Sequence, residues 1–281
     1  MEHSLTLIRD QQKESWNKFS TGWKNWDNIV MDFLSPMGKE IIRLIHPSGK
    51  DIVLDVAAGT GEPGLSIAAM LSGGKVISTD LSEDMLAVAK LKAAAKNIKN
   101  FETKIADVSE LPFGDNSFDA ISCRFGFMFF PDMQLAAKEM VRVLKPGGRV
   151  AIAVWNVPQK NFWVTAIMGS INKIMQLPPP PAGAPGMFRC AAPGLMQQIF
   201  TDAGLKNISE TVIDSSLNMD NNEMFWKMHT EVGAPIVAAL NKADEEMKAK
   251  IKADTFSRLD EKFSGLAVTP EASALIIYGE K

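Results

Sequence analysis

Glycines and carboxylates that could hold a cofactor follow short apolar runs in this sequence. In residues 52–64, an apolar run is followed by Gly59, Gly61 and Gly64. Glycine permits the sharp bend and close ligand approach that a strand-to-helix turn requires, and the next helix points its free N–H groups at the same place. The G-x-G-x-x-G spacing alone also fits a dinucleotide-binding loop.

Two further acidic residues follow predicted strands. Asp80 lies about twenty residues past the glycines, where a carboxylate can accept both hydroxyls of a ribose; the alternative is that it caps the helix at Ser82. Asp107 follows the third predicted strand, where it could take an adenine amino group or act as an ordinary turn residue. These residues favour an adenosine-containing cofactor and leave NAD and S-adenosylmethionine open.

Strands and helices alternate through the first half of the chain. Apolar runs predict strands at 51–56, 75–79, 101–106, 118–123 and 149–155, separated by helices that include 133–144. Such alternation predicts right-handed βαβ units and a parallel sheet.

The flanking segments are predicted to be mostly helical. The first fifty residues form helices with a strongly aromatic face, broken by Pro36 before a second helix at 37–45. Beyond the fifth strand we expect helices at 162–175 and 193–203, a proline-rich loop at 177–186, a strand at 206–217, helices within 221–263 and a last strand at 272–279.

Four motifs occur in the order and at the intervals of one known family. They are 53–61 (VLDVAAGTG), 79–86 (TDLSEDML), Ala106-Asp107 with 111–113 (LPF) and Phe118-Asp119, and Glu139 with 142–148 (RVLKPGG). Together they resemble the class I S-adenosylmethionine-dependent methyltransferases of the ubiquinone/menaquinone methyltransferase-like type (methyltransferase type 11 domain). The resemblance favours S-adenosylmethionine over NAD, because a dinucleotide fold explains only the glycines and Asp80.

The resemblance implies an α/β fold: a doubly wound, mostly parallel seven-stranded sheet with an N-terminal helical cap and helical insertions after strand 5 and strand 6. The expected domains are a helical cap at 1–50, a cofactor-binding core at 51–156, and the rest of the sheet with lid insertions at 157–281. The family loop usually has glycine where this sequence has Ala57, and we expect that alanine to keep a negative φ.

The resemblance also implies roles for the cofactor-binding residues. Asp55 and the backbone of 57–61 would hold the methionine end of S-adenosylmethionine, and Asp80 would bind the ribose. The backbone carbonyl of Arg124 would receive the cofactor's ammonium, unless its guanidinium pairs with an acid instead. The full predicted set is Asp55, Ala57, Ala58, Gly59, Thr60, Gly61, Asp80, Leu81, Met85, Asp107, Val108 and Arg124.

Aromatic residues on both flanks of the core are predicted to form a lid and an apolar pocket for the methyl acceptor, or else the core of a lobe. They are Trp16, Phe19, Trp23, Trp26, Trp155, Phe162, Trp163 and Phe188. The expected acceptor is a small, fairly apolar metabolite. No catalytic residue is assigned, since a lone histidine such as His229 is more often a packed residue than a base. A non-catalytic member of the fold that binds the cofactor or a partner and, less favoured, an NAD-dependent oxidoreductase remain alternatives.

Composition narrows the class of protein. The chain has 281 residues, 46% hydrophobic and 22% charged, with a net charge of -3, which argues against nucleic acid as a partner. Two distant cysteines favour a reducing cytoplasm. No spacing of histidine, cysteine or carboxylate suggests a metal site, and no segment predicts stable membrane insertion. The oligomeric state is left open.

Overall fold

A seven-stranded sheet lies at the centre of the computed structural model, which describes residues 2–179, 181, 183–263 and 267–281. Its strand order is β3-β2-β1-β4-β5-β7-β6. Strands β1 to β5 run parallel, and β7 pairs antiparallel with both β5 and β6. The strands are β1 Ile52–Val56, β2 Lys75–Asp80, β3 Phe101–Ile105, β4 Phe118–Arg124, β5 Leu144–Trp155, β6 Lys206–Ser216 and β7 Glu271–Glu280.

Helices precede the sheet, alternate with its strands and fill the insertions after β5 and β6. They are α1 Glu2–Asn25, α2 Asp27–Ile45, α3 Gly64–Met70, α4 Glu83–Ala95, α5 Met133–Val143, α6 Phe162–Met175, α7 Leu195–Asp202, α8 Asn222–Val232, α9 Ala234–Leu240 and α10 Glu245–Lys262. The predicted fold class is therefore confirmed, including the helical cap and both insertions.

The strand order places a cleft at the carboxyl ends of β1 and β4. Chain order proceeds outward from β1 in one direction through β2 and β3, and in the other from β4 to β5. Ligands of open α/β sheets bind where the order reverses in this way. Central strand residues such as Val53, Leu54 and Ile121 are completely buried, so the sheet is a rigid support for loops that follow it.

The prediction that Pro36 ends a helix is wrong. Pro36 lies inside α2, and the boundary between α1 and α2 is Trp26, whose φ of -97° and ψ of 10° depart from helical values. Proline removes one backbone hydrogen bond from a helix, at a cost of about 3 kcal/mol. Here α2 buries Phe33, Met37 and Ile41 against the sheet, and this packing outweighs the cost.

Strand β5 begins earlier than predicted, at Leu144 rather than residue 149. The segment 145–148 (KPGG) was expected to end the helix 133–144 and to precede the strand. Instead, Gly147 N donates to Lys281 O at 2.8 Å and Lys281 N donates to Gly148 O at 3.0 Å. Pairing with a segment more than a hundred residues away therefore extends the strand, which local sequence does not reveal.

The other predicted elements lie within a few residues of their expected positions. In the predicted proline-rich loop at 177–186, residues 180 and 182 lie outside the described residues. The proposed domain boundaries stay a prediction. Within the described ranges, no helix is both long and apolar enough to span a membrane, and Cys123 and Cys190 are buried free thiols.

Candidate functional site

A cavity opens at the carboxyl ends of β1, β2 and β4, beneath α1 and α2. The space between the lining residues, together with the open mouth, is about 1020 Å³. Its lining comes from the two N-terminal helices and from the loops that follow the strands: Gln12, Trp16, Trp23, Met31, Leu34, Val56, Ala57, Ala58, Gly59, Thr60, Glu62, Thr79, Asp80, Leu81, Met85, Ala106, Asp107, Val108, Arg124, Phe125, Gly126, Phe129, Phe130 and Pro131.

The loop after β1 has a left-handed backbone at three positions. Ala57 has a φ of 52°, Gly59 of 52° and Gly61 of 104°. The expectation of a negative φ at Ala57 is therefore wrong. Gly126 accommodates the extra methyl group, because a Cβ atom placed on Gly126 would lie only 2.3 Å from the Cβ of Ala57. The loop therefore holds a left-handed, strained backbone at an alanine.

Asp55 lies beneath this loop and does not line the cavity. Its side chain is completely buried and accepts hydrogen bonds from Ser122 Oγ at 2.6 Å and from Gly64 N at 3.2 Å. Burial raises the pKa of Asp55 to about 7, although the bond from Ser122 and the charge of Arg124 oppose the shift. Contrary to the prediction, Asp55 faces Gly64 and Ser122, where it fixes the start of α3, rather than the cavity.

Asp80 lines the cavity with both carboxylate oxygens held by backbone. Gly59 N donates to Oδ2 at 2.9 Å and Ser82 N donates to Oδ1 at 2.8 Å. Burial raises the pKa of Asp80, while the bonds from Ser82 and Gly59 oppose that rise. Ser82 caps α4 with its own hydroxyl, which accepts from Met85 N at 3.1 Å. Asp80 thus orients the glycine loop and keeps a carboxylate at the cavity wall.

Four more of the predicted residues line the same cavity as Asp80. Leu81 and Met85 line it as apolar surface, together with Asp107 and Val108. Asp107 Oδ1 accepts from Ser109 N at 2.8 Å, and its Oδ2 lies 3.7 Å from Arg9 of α1. Leu81, Met85 and Val108 thus add apolar lining to the cavity, and Asp107 adds a carboxylate.

Helix α1 covers the cavity and is fixed by polar contacts along its length. Ser82 Oγ donates to Asn17 Oδ1 at 2.6 Å. Trp26 Nε1, at the end of α1, donates to Glu231 Oε2 of α8 at 2.7 Å. At Gly22 the helix approaches α8 so closely that a Cβ would lie 2.0 Å from Glu231 O. The N-terminal helices therefore form one wall of the site.

Arg124, at the end of β4, also lines the cavity. Its Nη1 is 3.5 Å from Leu34 O and its Nη2 is 3.2 Å from Met31 Sδ. Burial lowers the pKa of Arg124, although the charges of Glu62, Asp55 and Asp27 oppose the shift. Among the residues that the structure describes, no carboxylate forms an ion pair with this guanidinium within 4.0 Å.

Two of the eight predicted acceptor-pocket aromatics, Trp16 and Trp23, line the cavity. Trp16 packs edge-on against Trp23 at 6.4 Å and against Phe129 at 5.4 Å, measured between ring centroids. The buried indole nitrogen Nε1 of Trp23 has no hydrogen-bond partner in the described structure. The rings of Trp16, Trp23 and Phe129 therefore give part of the cavity an aromatic lining.

Two more of the eight support the cavity from behind. Phe125 lines the cavity with an unusual φ of 61°. The ring of Trp155 stacks on the ring of Phe125, with 4.0 Å between the ring centroids. The ring of Trp163 packs against that of Trp155, with 4.8 Å between centroids. A bulky residue with positive φ persists only when its surroundings hold it there, and these rings supply that support.

The remaining four predicted aromatics pack elsewhere. Phe19 is buried, and Trp26 is bound to Glu231. Phe162 packs on Phe263 of the α10 end at 6.2 Å, and Phe188 lies against the hydrophobic core. None of these four rings, nor Trp155 or Trp163, lines the cavity; the alternative reading of lobe core describes them better.

His229 is a packed core residue. It is 1% exposed, its Nδ1 lies 2.9 Å from Phe225 O, and its ring is 4.1 Å from the ring of Phe225. Burial lowers its pKa to about 4. It does not line the cavity, so the structure gives it no contact with a ligand there.

Sequence reasoning missed half of the cavity lining. Phe125, Gly126 and 129–131 follow Arg124 directly at the end of β4, so the rule that ligands bind at strand ends could have found them. Met31, Leu34 and Gln12 come from helices whose contact with the site only the tertiary fold reveals.

The sequence family described as a methyltransferase domain matches residues 53–148. This part of the chain is therefore similar to methyltransferase domains. The match begins in β1 and ends within β5, so the methyltransferase domain contains the glycine loop, Asp80, Asp107 and Arg124. The resemblance to class I methyltransferases is confirmed for this region.

Curated relatives match the same region. A demethylmenaquinone methyltransferase of Bacillus cereus is 41% identical over 113 residues, which cover 40% of this chain and 48% of that protein. An uncharacterized protein of Mycobacterium tuberculosis is 36% identical over 135 residues, covering 47% of this chain and 48% of the relative. The matched stretch thus spans about half the length of the curated relatives.

Solved structures share the fold beyond the methyltransferase domain. The YcgJ protein from Bacillus subtilis is 21% identical with a TM-score of 0.58, over 87% of this chain and 97% of that chain. A phosphoethanolamine N-methyltransferase from Haemonchus contortus, solved with phosphomonomethylethanolamine and S-adenosylhomocysteine, is 19% identical with a TM-score of 0.58, over 95% and 60% of the two chains. At this identity the likeness shows the fold.

Proposed function

We propose that this protein transfers the methyl group of S-adenosylmethionine to a small, fairly apolar metabolite. The observation that carries the proposal is one cavity that is lined by both carboxylates and aromatic rings. Asp80 and Asp107 line it together with apolar side chains and with the rings of Trp16, Trp23 and Phe129. The methyltransferase domain and its relatives support the same cofactor.

The cavity residues at the end of β2 and in the loop after it fit an adenosine cofactor. Asp80 presents a carboxylate whose position is fixed by Gly59 N and Ser82 N, as a receptor for two ribose hydroxyls requires. Leu81 and Met85 offer apolar surface to a flat base. Because backbone N–H groups already hold this carboxylate in place, its side chain loses little conformational entropy when the ribose binds.

When bound, S-adenosylmethionine supplies a methyl group on a positively charged sulfur, which a nucleophile displaces in line. The protein's contribution is to position the acceptor and to keep water out. Positioning of two reactants contributes roughly 7–11 kcal/mol in favourable cases. Trp16, Trp23, Phe125 and Phe129 are suited to both tasks, since their rings are apolar and fixed by mutual packing.

The cavity lining also bears on the acceptor. Trp16, Trp23 and Phe129 present aromatic side chains to the cavity, and burial of apolar area is favourable by about 25 cal/mol per Å². We infer an acceptor with an apolar body. A base is needed only where the acceptor must lose a proton, and no catalytic residue is assigned.

The experiment is a turnover assay that measures S-adenosylhomocysteine release with a panel of small phenols, amines and thiols. We expect turnover with apolar members. Trp23→Ala, which removes an aromatic side chain that lines the cavity, should raise KM for apolar acceptors about 10-fold. Arg43→Met is the control, because Arg43 is exposed on α2 and bonded to Glu40.

The alternatives give different results. A chain that binds S-adenosylmethionine yet forms no product with any member of the panel would be the cofactor-binding protein without activity. The acceptor, the absence of a nucleic-acid partner and the cytoplasmic location stay predictions.

A further inference from the structure

The guanidinium of Arg124 has weak protein partners. A carbonyl oxygen at 3.5 Å and a thioether sulfur at 3.2 Å, from Leu34 and Met31, are its hydrogen-bond acceptors in the described structure. The guanidinium lies close to Gly38 of α2 and to Pro63, which precedes α3. A Cβ placed on Gly38 would be 3.7 Å from Arg124 Nη1 and 3.9 Å from the Cβ of Pro63. A guanidinium carries five N–H donors in a planar fork suited to a carboxylate.

The nearby acids are already engaged with other groups. Asp27 pairs with Lys92 at 2.7 Å and Glu62 pairs with Lys96 at 3.2 Å, while Asp55 is bonded to Ser122. Their charges reach Arg124 only from a distance. A desolvated cation without an ion-pair partner is unfavourable, and a ligand anion that paired with Arg124 would remove that penalty.

The geometry points to Arg124 as the receptor for the carboxylate on the amino-acid portion of S-adenosylmethionine. This inference rests on the proposed function, and it assigns a role to the side chain rather than to the backbone carbonyl. It also makes Arg124 a determinant of specificity for cofactors that carry an α-carboxylate.

The surroundings of Arg124 are complementary to a zwitterion. Arg124 and Glu62 both line the cavity, next to Thr60, whose hydroxyl lies 3.4 Å from Asp27 Oδ1. A cation thus lies beside acidic groups at the loop after β1, the end where the amino-acid portion is expected. An α-amino acid carries one charge of each sign, whereas the ribose and adenine carry none.

The test compares S-adenosylmethionine with decarboxylated S-adenosylmethionine, which keeps the sulfonium and the ammonium but lacks the carboxylate. Calorimetric titration of the full chain gives both affinities. In wild type we expect S-adenosylmethionine to bind roughly 10- to 100-fold more tightly, the range for a charge-assisted hydrogen bond. Arg124→Met should remove most of this preference and leave the decarboxylated ligand within about 3-fold of wild type.

Three controls separate this role from a structural one. Arg43→Met removes an exposed arginine from α2 and should leave both affinities unchanged. Asp80→Asn should weaken both ligands by a similar factor. Without ligand, Arg124→Met should unfold at the same or a higher temperature than wild type, because it removes an unpaired charge. Arg124→Lys should restore part of the preference.

The outcomes are distinct. Equal losses for the two ligands in Arg124→Met, or a preference that survives that change, would overturn the inference and leave the proposed function intact. Failure of both ligands to bind wild type would instead overturn the proposed function.

Discussion

Replacing Gly126 by alanine perturbs one contact on which the glycine loop depends. Gly126 has a φ of -88° and a ψ of -38°, so its backbone conformation is open to any residue. A Cβ there would meet the Cβ of Ala57 at 2.3 Å and Cys123 Sγ at 3.2 Å. The requirement for glycine therefore comes from its neighbours, and chiefly from the residue that departs from the family loop.

The magnitude follows from these distances. Overpacking of a tight interior contact costs about 1–3 kcal/mol, so Gly126→Ala should lower the free energy of unfolding by about 2 kcal/mol. Ala57→Gly removes a left-handed alanine that costs roughly 1–2 kcal/mol and adds a glycine entropy cost of roughly 0.5–1 kcal/mol. That single variant should be about 0–1 kcal/mol more stable than wild type.

Urea denaturation of wild type, both single variants and the double variant measures the coupling. In the Ala57→Gly background, Gly126→Ala should cost less than about 1 kcal/mol, which gives a coupling of about 1–2 kcal/mol between the two sites. Gly114→Ala is the control, because its Cβ would meet only Ser117 Oγ at 3.8 Å. Additive effects of the two changes would refute the steric account.

Three further predictions concern the core and the ribose receptor. Burial lowers the pKa of His229 to about 4, from its ordinary 6.5, so the folded protein favours the neutral ring. This contribution to the free energy of unfolding is fully present above about pH 6.5 and is lost as the pH falls toward 4. Wild type should lose about 3 kcal/mol over that range that His229→Gln does not lose, as measured by denaturation at each pH. Asn161 is buried, and its side chain donates to Ser273 O and accepts from Ser273 N and Trp163 Nε1. Asn161→Ala should therefore lower the free energy of unfolding by about 3 kcal/mol in urea denaturation. A loss below about 1 kcal/mol would contradict this role. Asp80→Asn should weaken S-adenosylhomocysteine binding roughly 10- to 100-fold in calorimetry, and unchanged affinity would remove Asp80 from the ribose role.

The sequence predicted the sheet well because its signals are local. β1 and β4 are short apolar runs whose interior residues are fully buried, and each is followed by turn or polar residues. Asp80 and Asp107 could be placed at the cavity for the same reason, since the carboxyl ends of parallel strands lie at one edge of a sheet.

The errors share a physical cause, which is that long-range contacts decided the outcome. Pro36 stays within α2 because the helix packs on the sheet. Ala57 takes a positive φ because Gly126 leaves room for its methyl group. Asp55 turns away from the cavity because Ser122 of β4 and Gly64 of α3 bind it. None of these partners lies close to its residue in the sequence except Gly64.

The aromatic residues illustrate the same limit. Spacing placed Trp16 and Trp23 on one face of a helix and both line the cavity, whereas Trp155 and Trp163 form the layer behind Phe125. The sequence shows that both groups of residues are aromatic. Only the tertiary packing distinguishes a ring that lines the cavity from a ring that supports the lining.

The most direct measurement is calorimetric titration of the full chain with S-adenosylhomocysteine and, separately, with NAD. We expect one binding site for S-adenosylhomocysteine, with an affinity that Asp80→Asn lowers, and no binding of NAD. Binding of NAD without binding of S-adenosylhomocysteine would contradict it.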